Sequence, residues 1–92
     1  MLSQIPFDLK KMKKEDLDKE IARIGMIAEL DAINLYEQLA TICESEKLKK
    51  VLLEIAREEK THVGEFQTLL LDTDKEQVKE LEKGKKEVEE IS

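Results

Sequence analysis

Glu59 and His62, a glutamate and a histidine three positions apart, have the clearest potential for chemistry in this chain. On an α-helix, residues i and i+3 lie on the same face, so both side chains can bind one metal ion. Glu29, in an earlier segment of similar pattern, supplies a matching carboxylate. Two carboxylates and one imidazole suit a divalent first-row metal ion. The three residues therefore indicate half of a two-metal site, and its other half would come from a second copy of the chain.

A long amphipathic helix is predicted around Glu29, from about residue 13 to about Glu44. On a helical wheel of 100° per residue, its apolar arc spans roughly 200°, which is wider than the ~100° stripe of an ordinary surface helix. Glu29 lies in the middle of this arc. The apolar and small residues that fall close to it on both sides of the wheel are Ala22, Gly25, Ala32, Ile33, Tyr36, Ala40 and Cys43. Such a helix must be buried against more than one partner.

A second amphipathic helix is predicted around Glu59, over about residues 46–71. Ser45 precedes it and is a favoured residue type for an N-cap. The apolar residues that cluster around Glu59 on the wheel are Leu48, Leu52, Ile55, Ala56, Val63, Phe66 and Leu70. Because only a very short turn separates the two helices, they are predicted to fold back as an antiparallel hairpin. The hairpin would bring Glu29 and Glu59 together.

A short third helix is predicted at the C-terminal end. Thr73 and the glutamate three positions later, Glu76, have the spacing of a capping box, so a helix is expected over about residues 73–90. Its apolar stripe is thin, and Gly84 is a position where it can break.

The whole chain, residues 1–92, is predicted to be a single domain. Residues 1–12 are predicted to form an N-terminal arm, because Pro6 disfavours helix in the residue before it. The helical hairpin over residues 13–71 and the C-terminal helix complete the domain. The predicted fold class is therefore all-α.

Composition narrows the range of functions. Charged residues make up 41% of the chain and the net charge is −6, and an acidic chain with few aromatic residues is a poor candidate for nucleic-acid binding. No apolar run approaches the ~20 residues needed to span a bilayer. The lysines follow the mildly apolar start, which is the reverse of the order in a secretory signal. Cys43 is the single cysteine, so a reducing, cytoplasmic location is expected.

The predicted positions of Glu29 and Glu59 at the centres of apolar faces require compensation, because an isolated buried carboxylate is very costly. Protonation, pairing with a cationic side chain or binding of a metal ion would each provide it. Neither long helix has a Lys or Arg close to the centre of its apolar stripe, which favours the metal ion. Three ligands are few for a transition metal, and a hairpin leaves one apolar surface uncovered. Two hairpins related by a two-fold axis would meet both needs by forming a four-helix bundle.

Resemblance to the ferritin-like superfamily is carried by two segments, IAELDAINLYE (Ile27–Glu37) and AREEKTHVGEF (Ala56–Phe66). In ferritin-like di-iron proteins, two helices each supply a Glu and the other two each supply a Glu-x-x-His motif. Within this superfamily the chain resembles the encapsulated ferritins, the half-length ferritins of encapsulin compartments, over about residues 15–90. The spacing between Glu29 and the Glu-x-x-His motif is similar to the spacing in that family.

The resemblance implies a fold, an activity and partners. Hairpins would pair with a di-iron site at the dimer interface, and dimers would assemble into rings. The implied activity is that of a ferroxidase, which oxidises Fe(II) to Fe(III) with oxygen. The implied location is inside an encapsulin shell in the cytoplasm, and the shell would store the mineral.

The resemblance also implies roles for individual residues. The residues that correspond to the iron ligands are Glu29, Glu59 and His62. Tyr36 corresponds to a tyrosine beside the site, where it would contact a ligand or the oxygen pocket, although packing alone also explains its position. Asp31 corresponds to one acid of an outer, metal-attracting site. Ala28 stands where a second acid of that outer site is often found.

Other interpretations stay open from the sequence. His62 can be an ordinary core histidine, and manganese or zinc can occupy the same ligands as iron. A rubrerythrin-like di-iron peroxidase is a second candidate, although this chain has no Cys-x-x-Cys pair of the kind that carries electrons in a rubredoxin domain. A non-catalytic helical assembly module is a third candidate, and it predicts that metal removal leaves the oligomeric state unchanged.

Overall fold

The computed structural model describes residues 13–92, which form one short 3₁₀ turn and three α-helices. The 3₁₀ turn spans Lys14–Asp16, and the helices are α1 (Leu17–Ile42), α2 (Glu46–Thr73) and α3 (Lys75–Glu89). No strand is present among these residues, and the predicted all-α class is confirmed. None of the helices in this range combines the length and hydropathy needed to cross a bilayer. The predicted N-terminal arm, residues 1–12, lies outside the described part of the chain.

The first two helices form the predicted hairpin. α1 ends at Ile42, two residues before the predicted boundary, because Cys43 adopts an extended conformation and begins the turn. Ser45 is the N-cap of α2, as predicted, and its Oγ accepts a hydrogen bond from the backbone N–H of Leu48 at 3.1 Å. The turn is confined to residues 43–45, so the two helices pack side by side.

The junction between α2 and α3 differs from the prediction. Thr73, the predicted cap, is the last residue of α2, and its Oγ1 donates to the backbone oxygen of Leu70 at 3.1 Å. Asp74 caps α3 instead, because its Oδ1 accepts from the backbone N–H of Gln77 at 3.0 Å. Its Oδ2 accepts from Arg23 Nη2 at 2.7 Å. This one residue therefore links two helices and ties their junction to α1.

The third helix is amphipathic and buries none of its residues. Its apolar stripe, Val78, Leu81 and Val88, is exposed. The helix continues through Gly84 without a break. A glycine inside a helix costs only about 1 kcal/mol relative to alanine, which the flanking helix-forming residues tolerate.

Small residues dominate the packing between α1 and α2. The buried apolar residues of the described chain are Ala22, Ile33, Ala40, Ala56 and Leu70. At Gly25 a Cβ atom would lie 2.6 Å from Cε1 of the Phe66 ring, so only glycine leaves this ring undisturbed. Small side chains thus let the two helices approach closely.

One surface of the hairpin, named here the open face, carries exposed apolar side chains. It is formed by Ile21, Leu39, Ile42, Leu48, Val51 and Leu69. On the helical wheel these residues lie to one side of Glu29 and Glu59, whereas the buried residues lie to the other side. Each glutamate therefore stands at the border between the packed interface of the hairpin and the open face.

Candidate metal centre

Glu29, Glu59 and His62 form one cluster between α1 and α2. His62 Nδ1 lies 3.1 Å from Glu29 Oε2 and 3.2 Å from Glu59 Oε2. One potential ligand atom of each residue lies within 4.8 Å of the other two, and no further Asp, Glu, His or Cys of the described chain joins the group. The structure thus brings together the three residues that the sequence pattern predicted as metal ligands.

A close contact between the helices lies beside the cluster. Gly25 precedes Glu29 by one helical turn, and Phe66 follows His62 by one turn. The Phe66 ring occupies the space that a side chain at position 25 would take. This contact fixes the helix separation next to the site, so Glu29 can reach His62 across the interface.

The two carboxylates are less buried than the sequence pattern predicted. The side chains of Glu29 and Glu59 are 20% and 19% exposed, and that of His62 is 45% exposed. Their expected position at the dry centre of a bundle is therefore only partly realised in a single chain. The cluster is partly exposed because His62 lies at the edge of the open face, and no second layer of residues covers that face in a single chain.

The cluster has an excess of negative charge. Within residues 13–92, neither Glu29 nor Glu59 forms a salt bridge with a lysine or an arginine. The cations of the same stretch of α2 bind other acids, in the pairs Lys60–Glu37 and Arg57–Glu54. A neutral His62 has at most one hydrogen on Nδ1, so it compensates two carboxylates incompletely. A divalent cation that accepts oxygen and nitrogen ligands fits this donor set.

Tyr36 and Asp31, the other two residues selected from the sequence, lie outside the cluster. Tyr36 is partly buried on α1, about 10 Å along the helix from Glu29, and no hydrogen bond joins it to the three clustered residues in the described chain. Asp31 follows Glu29 by two positions, which turns it about 200° away on the wheel. Their functional roles stay predictions.

The sequence model of the rubrerythrin family matches residues 20–91, which include all three clustered residues. The chain belongs to the rubrerythrin family. The ferritin-like resemblance that two short segments indicated is thereby confirmed. The hairpin of this rubrerythrin-family chain provides the first carboxylate from α1 and the Glu-x-x-His motif from α2.

Two similar proteins come from Pyrococcus furiosus. A ferritin-like-encapsulin shell fusion protein is 60% identical over 79 residues, a match that covers 86% of this chain and 23% of the fusion protein. This chain therefore spans less than a quarter of that relative's length. The encapsulated ferritin domain of the same organism, known from its crystal structure, is 51% identical in sequence to this chain and superposes with a TM-score of 0.85. The match covers 100% of this chain and 96% of that domain. The predicted similarity to encapsulated ferritins, and the hairpin with a short C-terminal helix, are confirmed.

Proposed function

We propose that this rubrerythrin-family chain is a ferroxidase, which binds Fe(II) as its substrate and oxidises it to Fe(III) with dioxygen. The observation that carries the proposal is the cluster of Glu29, Glu59 and His62, whose ligand atoms lie within 4.8 Å of one another. This set matches half of the ligands of a ferritin-like di-iron site. Similarity to an encapsulated ferritin domain favours iron over manganese or zinc.

A site shared between two copies of the chain follows from two shortfalls of the single hairpin. Three ligands leave a first-row metal ion undercoordinated, and His62 stays 45% exposed beside the open face. A second hairpin packed on that face would cover the apolar side chains and contribute its own three ligands. The resulting four glutamates and two histidines hold two metal ions in ferritin-like bundles.

Each side chain has a distinct part in the proposed reaction. The carboxylates of Glu29 and Glu59 bind Fe(II) and offset the additional positive charge of Fe(III). His62 binds through the lone pair of Nδ1, so its ring hydrogen resides on Nε2 in the loaded site. The two bound Fe(II) ions supply one electron each, and one dioxygen molecule accepts both electrons together with two protons from water to give hydrogen peroxide. Tyr36 shares the wheel sector of Glu29, and we assign it a hydrogen bond to a ligand or a place in the oxygen pocket.

The proposed setting is an encapsulin compartment in the cytoplasm, where ring-like assemblies of dimers would deliver Fe(III) to a mineral stored by the shell. The similarity to a ferritin-like-encapsulin shell fusion protein supports this setting. The proposed outer site at Asp31 would attract Fe(II) before it reaches the cluster. An Asp31→Asn variant should then oxidise Fe(II) more slowly at low iron concentration only.

The test of the proposed activity is Fe(II) oxidation, followed by the ultraviolet absorbance of Fe(III) and by oxygen consumption. Glu29→Gln, Glu59→Gln and His62→Ala proteins should each lose most of the activity, because each variant removes one ligand from both halves of the shared site. Glu80→Gln, which neutralises an exposed acid on α3, is the matched control and should keep the activity. Wild-type rates in all three ligand variants would exclude the assignment.

Peroxidase activity is a second candidate, because the matching family model is that of rubrerythrin. It would use the same cluster but a different oxidant. Rates measured with hydrogen peroxide and with dioxygen at equal concentrations separate the two activities. A large preference for peroxide would replace the ferroxidase proposal.

A further inference from the structure

We propose that residues 5–11 of the N-terminal arm bind as an extended segment in a groove at the free end of the same hairpin, with Phe7 as the central anchor. The free end is the end of the hairpin opposite the turn at residues 43–45. This inference concerns a part of the molecule other than the metal cluster, and it does not depend on the proposed activity. It is supported by the size of the groove, the sequence of the arm and the charges around the groove.

The groove lies between α1 and α2 at the free end and has a volume of about 350 Å³. Ala22 and Phe66 line it, together with Ile21 and Leu69, which remain 46% and 58% exposed. Its volume equals that of a cube about 7 Å on each side, which is narrower than the diameter of about 10–12 Å of an α-helix with its side chains. The groove therefore fits the side chains of an extended segment better than it fits a helix of a second copy.

The arm has the sequence pattern of an extended segment with one apolar side. Pro6 disfavours helix at Ile5, and the apolar residues Ile5, Phe7 and Leu9 alternate with Pro6 and Asp8. Side chains two positions apart lie on the same side of an extended chain. The three apolar side chains can therefore enter one groove while Asp8 faces solvent.

The connection between the arm and α1 is short enough to place Phe7 at the groove. Lys13 has an extended backbone conformation, so the helix does not continue into the arm. Phe7 precedes Lys13 by six residues, which span about 20 Å when extended. From Lys13 to Ala22, the 3₁₀ turn and the first turns of α1 extend about 15 Å. A reversal of the chain over residues 10–12 would thus bring Phe7 level with the groove.

Charges at the groove complement those of the arm. Asp18 and Asp72 line the groove and are exposed, so its edge is acidic. Within the described chain, the two basic residues of α1, Lys19 and Arg23, form salt bridges with other acids. Lysine occupies four of the five positions from 10 to 14. A bound arm would therefore place positive charge beside the acidic edge, which is a favourable arrangement.

Attachment to the same chain favours the arm over a second copy as the occupant of this groove. A segment on a short flexible linker has an effective concentration on the order of millimolar, which a separate molecule reaches only in very concentrated solution. The arm would cover Ile21 and Leu69 at the end of the open face. It would leave the part beside Glu59 and His62 free for the second copy of the proposed function.

Tryptophan fluorescence of the full chain tests the position of the arm. The chain has no tryptophan, so Phe7→Trp introduces a single reporter at the proposed anchor. Its emission should lie at shorter wavelength than that of Asp8→Trp, and acrylamide should quench it less, because only position 7 would face the groove. Both differences should persist on dilution to the monomer, as followed by sedimentation. Equal emission and quenching of the two proteins would overturn the proposal, and so would a reporter at position 7 that becomes buried only when chains associate.

A substitution on the rim of the groove tests where the reporter binds. In the Phe7→Trp protein, Leu69→Gln should shift the emission to longer wavelength, because the groove loses an apolar contact. Val51→Gln is the matched control, since Val51 is 50% exposed on the same open face but lies next to the turn, and it should leave the emission unchanged. Equal shifts in the two variants, or no shift in Leu69→Gln, would overturn the proposal.

Neutralisation of the acidic edge tests the role of charge. In the Phe7→Trp protein, Asp18→Asn/Asp72→Asn should increase quenching by acrylamide, because the arm loses its attraction to the groove. Glu80→Gln/Glu87→Gln removes the same charge from exposed positions on α3 and should not change the quenching. Equal quenching in the two double variants would contradict the proposed pairing of the arm with this groove. None of these measurements uses iron, so their outcome is independent of the proposed activity.

Discussion

Neutralising one clustered carboxylate should make the metal-free protein more stable while removing its response to metal. Glu59→Gln is the change, because its amide keeps the shape of the side chain and can still hydrogen-bond His62. In the wild type, two formally negative carboxylates and one imidazole lie within 4.8 Å of one another. No lysine or arginine in the described chain forms a salt bridge with either carboxylate.

The size of the effect follows from that distance. Two unit charges at the upper bound of 4.8 Å for this cluster repel by roughly 1–3.5 kcal/mol for effective dielectric constants between about 80 and 20. Glu59 is 19% exposed and lies 3.2 Å from His62 Nδ1, so solvent screening and the hydrogen bond place the result near the lower limit. The free energy of unfolding of the metal-free variant should therefore exceed that of the wild type by about 1 kcal/mol.

The assay is urea unfolding at one fixed protein concentration, first with a chelator and then with Zn(II), which has no redox chemistry. At a free Zn(II) concentration of about 100 times the dissociation constant, the wild type should gain about 2.7 kcal/mol. The Glu59→Gln protein should gain much less, and the Glu80→Gln control should behave as the wild type. A metal-free variant less stable than the wild type, or an undiminished gain from Zn(II), would refute the reasoning.

Three further outcomes are expected. Gly25→Ala should lower the free energy of unfolding by about 1 kcal/mol, because overpacking against the Phe66 ring exceeds the gain in helix propensity. Gly84→Ala, where a Cβ atom has open space, should raise it by about 1 kcal/mol, and equal stabilisation by both in urea unfolding would contradict the described contact. The backbone N–H of Gln77, more than any other group, holds the pKa of the Asp74 carboxyl below its usual 3.8. The stabilisation that the ionised Asp74 carboxylate provides is therefore fully present above about pH 3.8, and it is lost as the pH falls through the lower pKa of the folded state. Circular dichroism during acid titration should show a weaker acid-induced loss of helix in Asp74→Asn, and an identical acid transition would count against the role of this cap.

The sequence was sufficient for the hairpin and for the composition of the cluster, because both depend on periodicity. Glu29 and Glu59 occupy matching places in two apolar arcs, and His62 follows at a spacing that keeps it on the same face. A short turn between the helices then requires their faces to meet. The family match and the encapsulated ferritin domain agree with the fold that this pattern predicts.

Features that depend on distant contacts could not be derived from the same pattern. Thr73 and Asp74 are both favoured N-cap residues, and local sequence does not show that Asp74 also binds Arg23, 51 positions away. The Gly25 contact with Phe66 likewise depends on the exact approach of two helices. The partial exposure of the clustered carboxylates was missed because the wheel treats an apolar arc as covered, whereas a single hairpin covers only half of it.

Native mass spectrometry under anaerobic conditions, with and without Fe(II), tests the central claim most directly, because it reads metal content and assembly mass together. We expect two iron ions for each pair of chains, no iron on the monomer, and no iron on a Glu29→Gln dimer. Stoichiometric iron on a lone monomer, or an iron-loaded Glu29→Gln dimer, would contradict a site shared by two hairpins.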